Sequence, residues 1–381
     1  MSQRFTFSSP TPLVHGVGTA SRVGHEAVRL RMTTALVITD PGIAKAGHVD
    51  PVTRALEQEG IAAHVFTDVQ PDPEATHVEA TYADVTTGID GVVAVGGGSV
   101  IDTAKGMRLL AQFGGTLRDY SGVSNVPAPV KMPLIAISTT SGTGSQVSFG
   151  AVFSDSLLKT KFPVISPYMC PTLAINDASL TVSAPPSVTA SAGLDALAHA
   201  VESFVARRAN AMTRPYSLQA ATMIGKALPM AMARGSDVEA RDEMLLASTM
   251  AIIPASNAGL GLAHAVAMPL CALYHLPHGL VIGAVLGHVM GFNRECCTDA
   301  YSDLGHALGV TAQNGNLADA AVAWMKRRSI EFGLPSRLGD LGVRRSDIDF
   351  IVDRTLESVQ SEANPRTPTR PDLIEWLTAI M

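Results

Sequence analysis

Asp195, His199, His264 and His278 carry side chains suited to holding one divalent cation. Asp195 and His199 stand four positions apart, so on a helix both point the same way and can share an ion. They lie in the run 187–207, which follows Pro185-Pro186 and contains no further proline. That pattern fits a helix start and its continuation. Along it Leu194, Leu197, Val201 and Phe204 form an apolar stripe, with Asp195, His199 and Glu202 roughly opposite. The competing reading is a solvated polar face. Against it, that side also carries Ala192 and Ala206, and the run has no lysine.

His264, His275 and His278 fall between Glu243 and Arg294, in a segment without Asp, Glu, Lys or Arg. Buried imidazoles need partners: a metal, a membrane pore or ordinary hydrogen bonds. The segment is long enough for two membrane spans, but Pro254, Asn257, Pro269, Pro277, several glycines and the histidines favour a buried helical core. Ser256 or Asn257 can cap a helix running through His264. Continued unbroken to His278, that helix would hold the two histidines about 21 Å apart. Pro277 and Gly279 flank His278, however, and 274–277 can turn the chain back. His278 then opens a new helix over 280–290 and faces His264. One Asp and three His suit Fe(II) or Zn(II), with an open position for substrate if the site is catalytic.

The first half must position something else. Short apolar runs at 34–39, 62–66, 91–95 and 133–137 read as strands, and helical patterns lie between them, one to about Glu59 and others at 76–87 and 100–113. Alternation of this kind predicts an α/β domain with a parallel sheet. Two strand ends carry loops rich in small residues, Gly96-Gly97-Gly98-Ser99 and Ser138-Thr139-Thr140-Ser141-Gly142-Thr143-Gly144-Ser145. Gly97, Gly98 and Ser99 suit a pyrophosphate at a helix start, and Thr139, Thr140 and Thr143 offer hydroxyl donors. The plainer alternative is tight turns; two such loops at successive strand ends favour a dinucleotide. The spacing is not G-x-G-x-x-G, so the ordinary Rossmann fingerprint does not apply. Asp40 ends the first strong strand. It can take both hydroxyls of an adenosine ribose, form an Asx-turn before Pro41, or do both.

After Pro185-Pro186 the pattern is helical almost to the end. The reading is therefore an α/β dinucleotide-binding domain over 1–184 and an all-α, metal-binding domain over 185–381. The 381 residues suffice for two domains; 46% are apolar, 16% are charged and the net charge is −6. With no basic block, nucleic-acid binding has no electrostatic support. The N-terminal Met1-Ser2-Gln3-Arg4-Phe5-Thr6-Phe7 shows no secretory pattern. Cys170, Cys271, Cys296 and Cys297 include no C-x-x-C pair, and adjacent cysteines rarely bridge, which suggests reduced thiols in the cytoplasm.

Taken together the motifs resemble the iron-containing (group III) alcohol dehydrogenases, of the dehydroquinate-synthase-like fold. The matching stretches are Gly96-Gly97-Gly98-Ser99-Val100-Ile101-Asp102-Thr103-Ala104-Lys105, Thr139 through Ser145, Gly193-Leu194-Asp195-Ala196-Leu197-Ala198-His199-Ala200-Val201-Glu202, Gly259 through His264, Pro277-His278-Gly279 and Asn364-Pro365-Arg366. The resemblance implies an active site in a cleft between the two domains and assigns the metal, Fe(II) or alternatively Zn(II), to Asp195, His199, His264 and His278. It places Asp40 at the ribose, which favours NAD over NADP, with Gly97, Gly98 and Ser99 at the pyrophosphate and Thr139, Thr140 and Lys161 along the cofactor. Asp102, inside the first motif, is counted with this set. The implied partner is a small alcohol or aldehyde: the metal holds the substrate oxygen, and hydride passes between the carbinol carbon and the nicotinamide. The family is usually dimeric or larger.

The chain departs from the family at Met268, where members usually carry a histidine linked to proton relay. His275 is the nearest replacement by sequence. Gln146 stands where many members have Glu. The Met268 change also motivates an alternative, a reductase of the same fold specialised for a hydroxy-acid, sugar or phosphonate aldehyde.

Overall fold

β-Branched and apolar residues at alternating positions build the first unit. The computed structural model describes residues 4–312 and 316–381; Met1, Ser2 and Gln3, part of the stretch read for a leader, lie outside the described residues. Nine strands run in chain order: β1 Leu13–His15, β2 Thr34–Ile38, β3 Ala62–Phe66, β4 Gly91–Gly96, β5 Gly122–Val123, β6 Leu134–Ser138, β7 Gly150–Asp155, β8 Thr160–Ile165 and β9 Leu173–Asn176. Between them lie helices α1 Val23–Arg29, α2 Pro41–Lys45, α3 Val49–Gln58, α4 Ala75–Thr86 and α5 Gly98–Phe113.

Six strands form one parallel sheet in the order β1-β9-β6-β4-β2-β3. The period-2 alternation sorts its side chains into two cores. Leu36, Ile38, Val92, Ala94, Leu134 and Ala136 pack on one face with Ile101, Ala104 and Met107 of α5. Ala35, Val37, Val93, Val95, Ile135 and Ile137 pack on the other with Val23 and Ala27 of α1 and Val52 and Leu56 of α3. From β2 the chain crosses to β3 on one side, then to β4 on the other, so the topological switch lies between β2 and β4. Ligands of such sheets bind beyond the carboxyl ends of the strands at that point. A three-stranded sheet, β5-β8-β7, accompanies it.

The second unit carries α6 Pro186–Val205, α7 Thr213–Ala233, α8 Val238–Ala258, α9 Leu262–Tyr274, α10 His278–Asn293, α11 Thr298–Ala307, α12 Leu317–Glu331, α13 Ile348–Leu356, α14 Val359–Ala363 and α15 Arg370–Ala379, with no strand among its described residues. The units divide as Ser8–Ala184 and Pro185–Met381. The stretch ending at Phe7 goes with the helical unit, where Phe7 stacks on Tyr216 at 6.0 Å, although the sequence reading begins the first domain at residue 1.

Two sequence expectations change. The pattern to Glu59 is two helices, α2 and α3, because Gly47 adopts φ +79 between them. The helix carrying His264 is not capped by Ser256 or Asn257. Both belong to the last turn of α8, where Asn257 Nδ2 donates to the Ile253 carbonyl. Gly259 at φ +90 ends α8, and α9 departs at 100°. That bend also divides the uncharged segment: no single described helix is long and apolar enough to cross a membrane.

Candidate metal centre and dinucleotide loops

Helix α6 is buried along most of its length, including its polar residues Asp195, His199 and Glu202. A polar face inside a core requires partners. α9 brings His264. It ends at Tyr274, His275 takes a left-handed conformation (φ 52, ψ 37), and His278 opens α10 beyond Pro277. The chain therefore turns at Pro277, as the sequence suggests, while Pro269 lies inside α9.

Asp195 Oδ1 is the hub. It lies 3.9 Å from His199 Nε2, 3.5 Å from His264 Nε2 and 3.6 Å from His278 Nε2. A tetrahedral cation with ligand bonds of about 2.1 Å has ligand–ligand edges of about 3.4 Å, close to this spacing. The His199 and His264 rings stack at 4.8 Å, and the His264 and His278 rings tilt at 5.4 Å. Asp195 Oδ1 and His264 Nε2 are buried and find no hydrogen-bond partner among the described residues. Two orphaned polar atoms converging inside a core fit a cation. The His278 side chain keeps 27% exposure, whereas Asp195, His199 and His264 keep 6% or less. The quartet is therefore open on the His278 side.

Glu202 is the functional residue for which the sequence reading found no role. Its Oε2 accepts from His264 Nδ1 at 2.6 Å and from Gly261 N at 3.0 Å, and its Oε1 accepts from Ala263 N at 2.6 Å. The carboxylate thus caps α9 and holds a proton on His264 Nδ1, so that in the neutral ring Nε2 carries the lone pair aimed at Asp195. Carboxylate–histidine support of this kind is the usual second layer of a metal site. The signal was present in the sequence, since Glu202 shares the polar side of α6 with Asp195 and His199.

Electrostatics agree. Burial opposes ionisation of Asp195, but His199, His264 and His278 outweigh it and hold its carboxyl well below the usual carboxylate range. Burial also opposes charge on His264, yet Glu202 and Asp195 raise its pKa to about 9. Without metal, the folded protein therefore keeps His264 protonated at neutral pH. That contribution to stability is complete below the unfolded value of about 6.5 and is lost as pH rises through about 9. A cation takes the neutral ring, so uptake at neutral pH should release the His264 proton, and affinity should rise with pH up to about 9. Calorimetry in buffers of different ionisation enthalpy checks this: the heat of metal uptake is expected to vary with the buffer, and an invariant heat would contradict it.

Met268 follows His264 by four residues on α9 and is half-buried, so it shares that face of the helix. His275 is not drawn into the quartet; it is the exposed C-cap residue of α9.

In the other unit, Asp40 ends β2 and caps α2, its Oδ1 accepting from Ile43 N at 2.9 Å. Gly97 caps α5 at the end of β4, and Gly96 pairs with Ser138 of β6. The loops after β4 and β6 therefore meet. A Cβ on Gly98 would stand 2.8 Å from Thr143 Cγ2, so only glycine permits this approach. Thr140 lies against Gly97 in the same way, at 3.4 Å. Thr139 Oγ1 is buried and has no partner among the described residues. Ser99 Oγ accepts from Asp72 N at 3.2 Å, and Asp72 pairs with the buried Lys161 at 2.5 Å. Asp72 links two expected cofactor residues and was not anticipated. Asp102 accepts from Ser145 Oγ at 2.6 Å and from Val152 N at 2.9 Å, tying α5 to the second loop. Burial raises its pKa despite nearby Lys105. Gln146 donates to Asn176 at 3.3 Å.

An unpartnered hydroxyl between phosphate-type loops predicts a specific mutant phenotype. Thr139→Val keeps the shape and removes only the donor. It is expected to raise KM for the nicotinamide cofactor roughly tenfold, with kcat little changed and thermal stability unchanged or higher. Steady-state kinetics and a melting curve check it; unchanged KM would count against a cofactor contact.

Both halves match known families. Residues 10–178 match the model "Iron-containing alcohol dehydrogenase", and residues 189–381 match "Fe-containing alcohol dehydrogenase family, C-terminal". The chain belongs to the iron-containing alcohol dehydrogenase family. It is 36% identical to an NAD-dependent methanol dehydrogenase of Bacillus methanolicus, covering 97% of this chain and 98% of that protein. It is 34% identical to a lactaldehyde reductase of Escherichia coli, over 94% and 95% of the two chains. The crystal structure of a 1,3-propanediol oxidoreductase superposes with a TM-score of 0.95 at 32% identity, covering 100% of both chains.

Proposed function

We propose that this family member is a metal-dependent, NAD-linked alcohol dehydrogenase and aldehyde reductase acting on small alcohols, with Asp195, His199, His264 and His278 as the metal ligands. The observation that carries the reading is the buried cluster of Asp195, His199 and His264, with the partly exposed His278 3.6 Å from Asp195 Oδ1 and Glu202 behind His264. A divalent cation there supplies Lewis acidity toward the oxygen of an alcohol or aldehyde. Asp195 contributes the negative charge that balances the cation. Glu202 fixes the tautomer and orientation of His264, and the open side by His278 admits the substrate. Gly97, Gly98, Ser99, Thr139, Thr140 and Thr143 hold the cofactor phosphates and Lys161 lies along it, with Asp102 positioning the second loop. Asp40 uses one oxygen to cap α2 and has the other for a ribose hydroxyl, which favours NAD over NADP. A nicotinamide held by these loops would supply the hydride acceptor or donor for the carbinol carbon.

The ion is Fe(II), with Zn(II) as the alternative, since the donor set suits both. The enzyme works in the reducing cytoplasm, consistent with four free cysteines, and as a homodimer or larger homo-oligomer, which sedimentation would measure. The alternative of a reductase specialised for hydroxy-acid, sugar or phosphonate aldehydes rests on Met268 alone and is not favoured. Kinetics with neutral against anionic aldehydes separate the two. Metal analysis combined with an NAD(H)-coupled substrate panel tests the main reading; bound metal with no turnover of any alcohol or aldehyde would refute it.

With Met268 where the family carries a histidine, the proton relay falls to His275, whose exposure suits the solvent end of such a path. His275→Ala should lower kcat, and Met268→His should restore it in the His275→Ala background, both read by steady-state kinetics. Equal kcat in all three proteins would remove His275 from the mechanism.

A further inference from the structure

The dehydrogenase reading leaves the adjacent cysteines without a task. Cys296 and Cys297 lie between α10 and α11, with Cys296 exposed, Cys297 buried and their sulfurs 3.7 Å apart. Two sulfurs bonded to one tetrahedral centre at about 2.3 Å stand about 3.8 Å apart. The pair is therefore already spaced for one thiophilic atom. A disulfide fits less well, because residues joined by a trans peptide hold their Cα atoms about 3.8 Å apart, below the usual disulfide range of about 4.4–6.8 Å.

The surroundings connect this pair to α9. Cys296 Sγ donates to the Asn293 carbonyl at 3.1 Å. Asn293 ends α10, and its side chain exchanges two hydrogen bonds with Asn364: Asn293 Nδ2 donates to Asn364 Oδ1 at 3.0 Å, and Asn364 Nδ2 donates to Asn293 Oδ1 at 2.8 Å. Asn364 Oδ1 also accepts from Leu262 N at 3.1 Å. Leu262 is the first residue of α9, between Gly261 and Ala263, whose N–H groups bind Glu202. Asn293 and Asn364 are both almost fully buried. Hydrogen bonds and the backbone of Asn293 and of 261–263 thus link the cysteine pair to His264, and Asn364 of the Asn364-Pro365-Arg366 motif receives a role as the clamp on the start of α9.

We propose that Cys296 and Cys297 form a dithiol site for a thiophilic metal or metalloid centre that bonds two sulfurs, and that its occupation loosens the clamp on His264. With an aryl arsenic(III) oxide as probe, two As–S bonds form and the As–O bond breaks. Both thiol protons leave in one molecule of water, and arsenic stays trivalent. Cys296 then no longer donates to the Asn293 carbonyl, so the contact that ties the pair to the end of α10 is lost. The effect on His264 rests on the metal assignment proposed above; the dithiol site itself does not.

Phenylarsine oxide tests it on the metal-loaded protein. Intact mass is expected to show one adduct per chain that survives a monothiol and is removed by 2,3-dimercaptopropanol. Cys296→Ser keeps a hydroxyl donor for the Asn293 carbonyl, so it should retain basal activity and show no monothiol-resistant adduct. In the wild type the adduct should weaken metal retention roughly tenfold, the scale of an outer-layer change, with recovery on adding the dithiol. Absence of the resistant adduct in wild type, or its persistence in Cys296→Ser, overturns the site. An adduct that leaves metal retention unchanged overturns the link to His264. The mass measurement needs no turnover, so a failed dehydrogenase assay would count against the proposed activity and not against the dithiol.

Discussion

Asp195→Ala is expected to purify without its metal and to lose about 10³-fold or more in NAD(H)-linked turnover. Asp195 supplies the only anionic group among the four candidate ligands, and its Oδ1 lies within 3.9 Å of all three histidine nitrogens. Removing it leaves three imidazoles around a buried cation with no anionic ligand, the nearest carboxylate being Glu202 behind His264, and an under-compensated buried charge is strongly destabilising. Lewis-acid assistance is worth several kcal/mol, and each ~1.4 kcal/mol is a factor of ten in rate. The fold should survive, because the surrounding core of Leu194, Leu197 and Val201 is untouched. Asp195→Asn separates charge from shape and should be nearly as damaging. Metal quantification, circular dichroism and progress curves check the pair of variants. Wild-type turnover in Asp195→Ala would remove this quartet from the chemistry.

Glu202→Gln should cost about 10–100-fold in metal affinity, the range for outer-layer partners of ligating histidines. Glutamine can keep one acceptor for the α9 amides, but the charge that holds the His264 Nδ1 proton is gone. The metal-free protein should change in a diagnostic direction. With Glu202 neutral, the largest influence raising the His264 pKa disappears, so that pKa should fall from about 9. Proton release on metal uptake at neutral pH should shrink accordingly. Competition with a chelator gives the affinity, and a histidine NMR titration gives the pKa. A Glu202→Gln protein of unchanged affinity would show that the 2.6 Å contact to His264 is structural only.

The parallel sheet was legible because β2, β4 and β6 are short apolar runs, buried on both faces and ending in turn residues, and because the edge strand β3, though partly exposed, keeps the strand–helix alternation. Strands β1 and β9 were not. Leu13–His15 is three residues long and Leu173–Asn176 four, too short for a period-2 signal, and their pairing joins positions about 160 residues apart. The β7–β8 hairpin was hidden because its half-buried positions carry apolar residues (Val152, Pro163) as well as polar ones (Ser154, Lys161), so its alternating burial leaves no apolar–polar alternation in the sequence. At the site, local spacing sufficed for Asp195 with His199 and for the turn before His278. It failed for the start of α9, where no side chain nearby in sequence does the capping. The caps come from Glu202 and Asn364, 59 and 102 residues away, and long-range partners of that kind leave no local pattern. Asp72 was missed for a related reason. Its bonds to Ser99 and Lys161 depend on a left-handed turn that its own sequence does not advertise.

Reconstitution tests the central claim most directly. Protein stripped with a chelator is titrated anaerobically with Fe(II), and in parallel with Zn(II), while NAD(H)-linked turnover of a small alcohol is followed. The expected result is negligible activity without metal and recovery that saturates near one ion per chain, with no recovery in Asp195→Ala. Turnover that persists after complete metal removal, or recovery that is equal in Asp195→Ala, would contradict it.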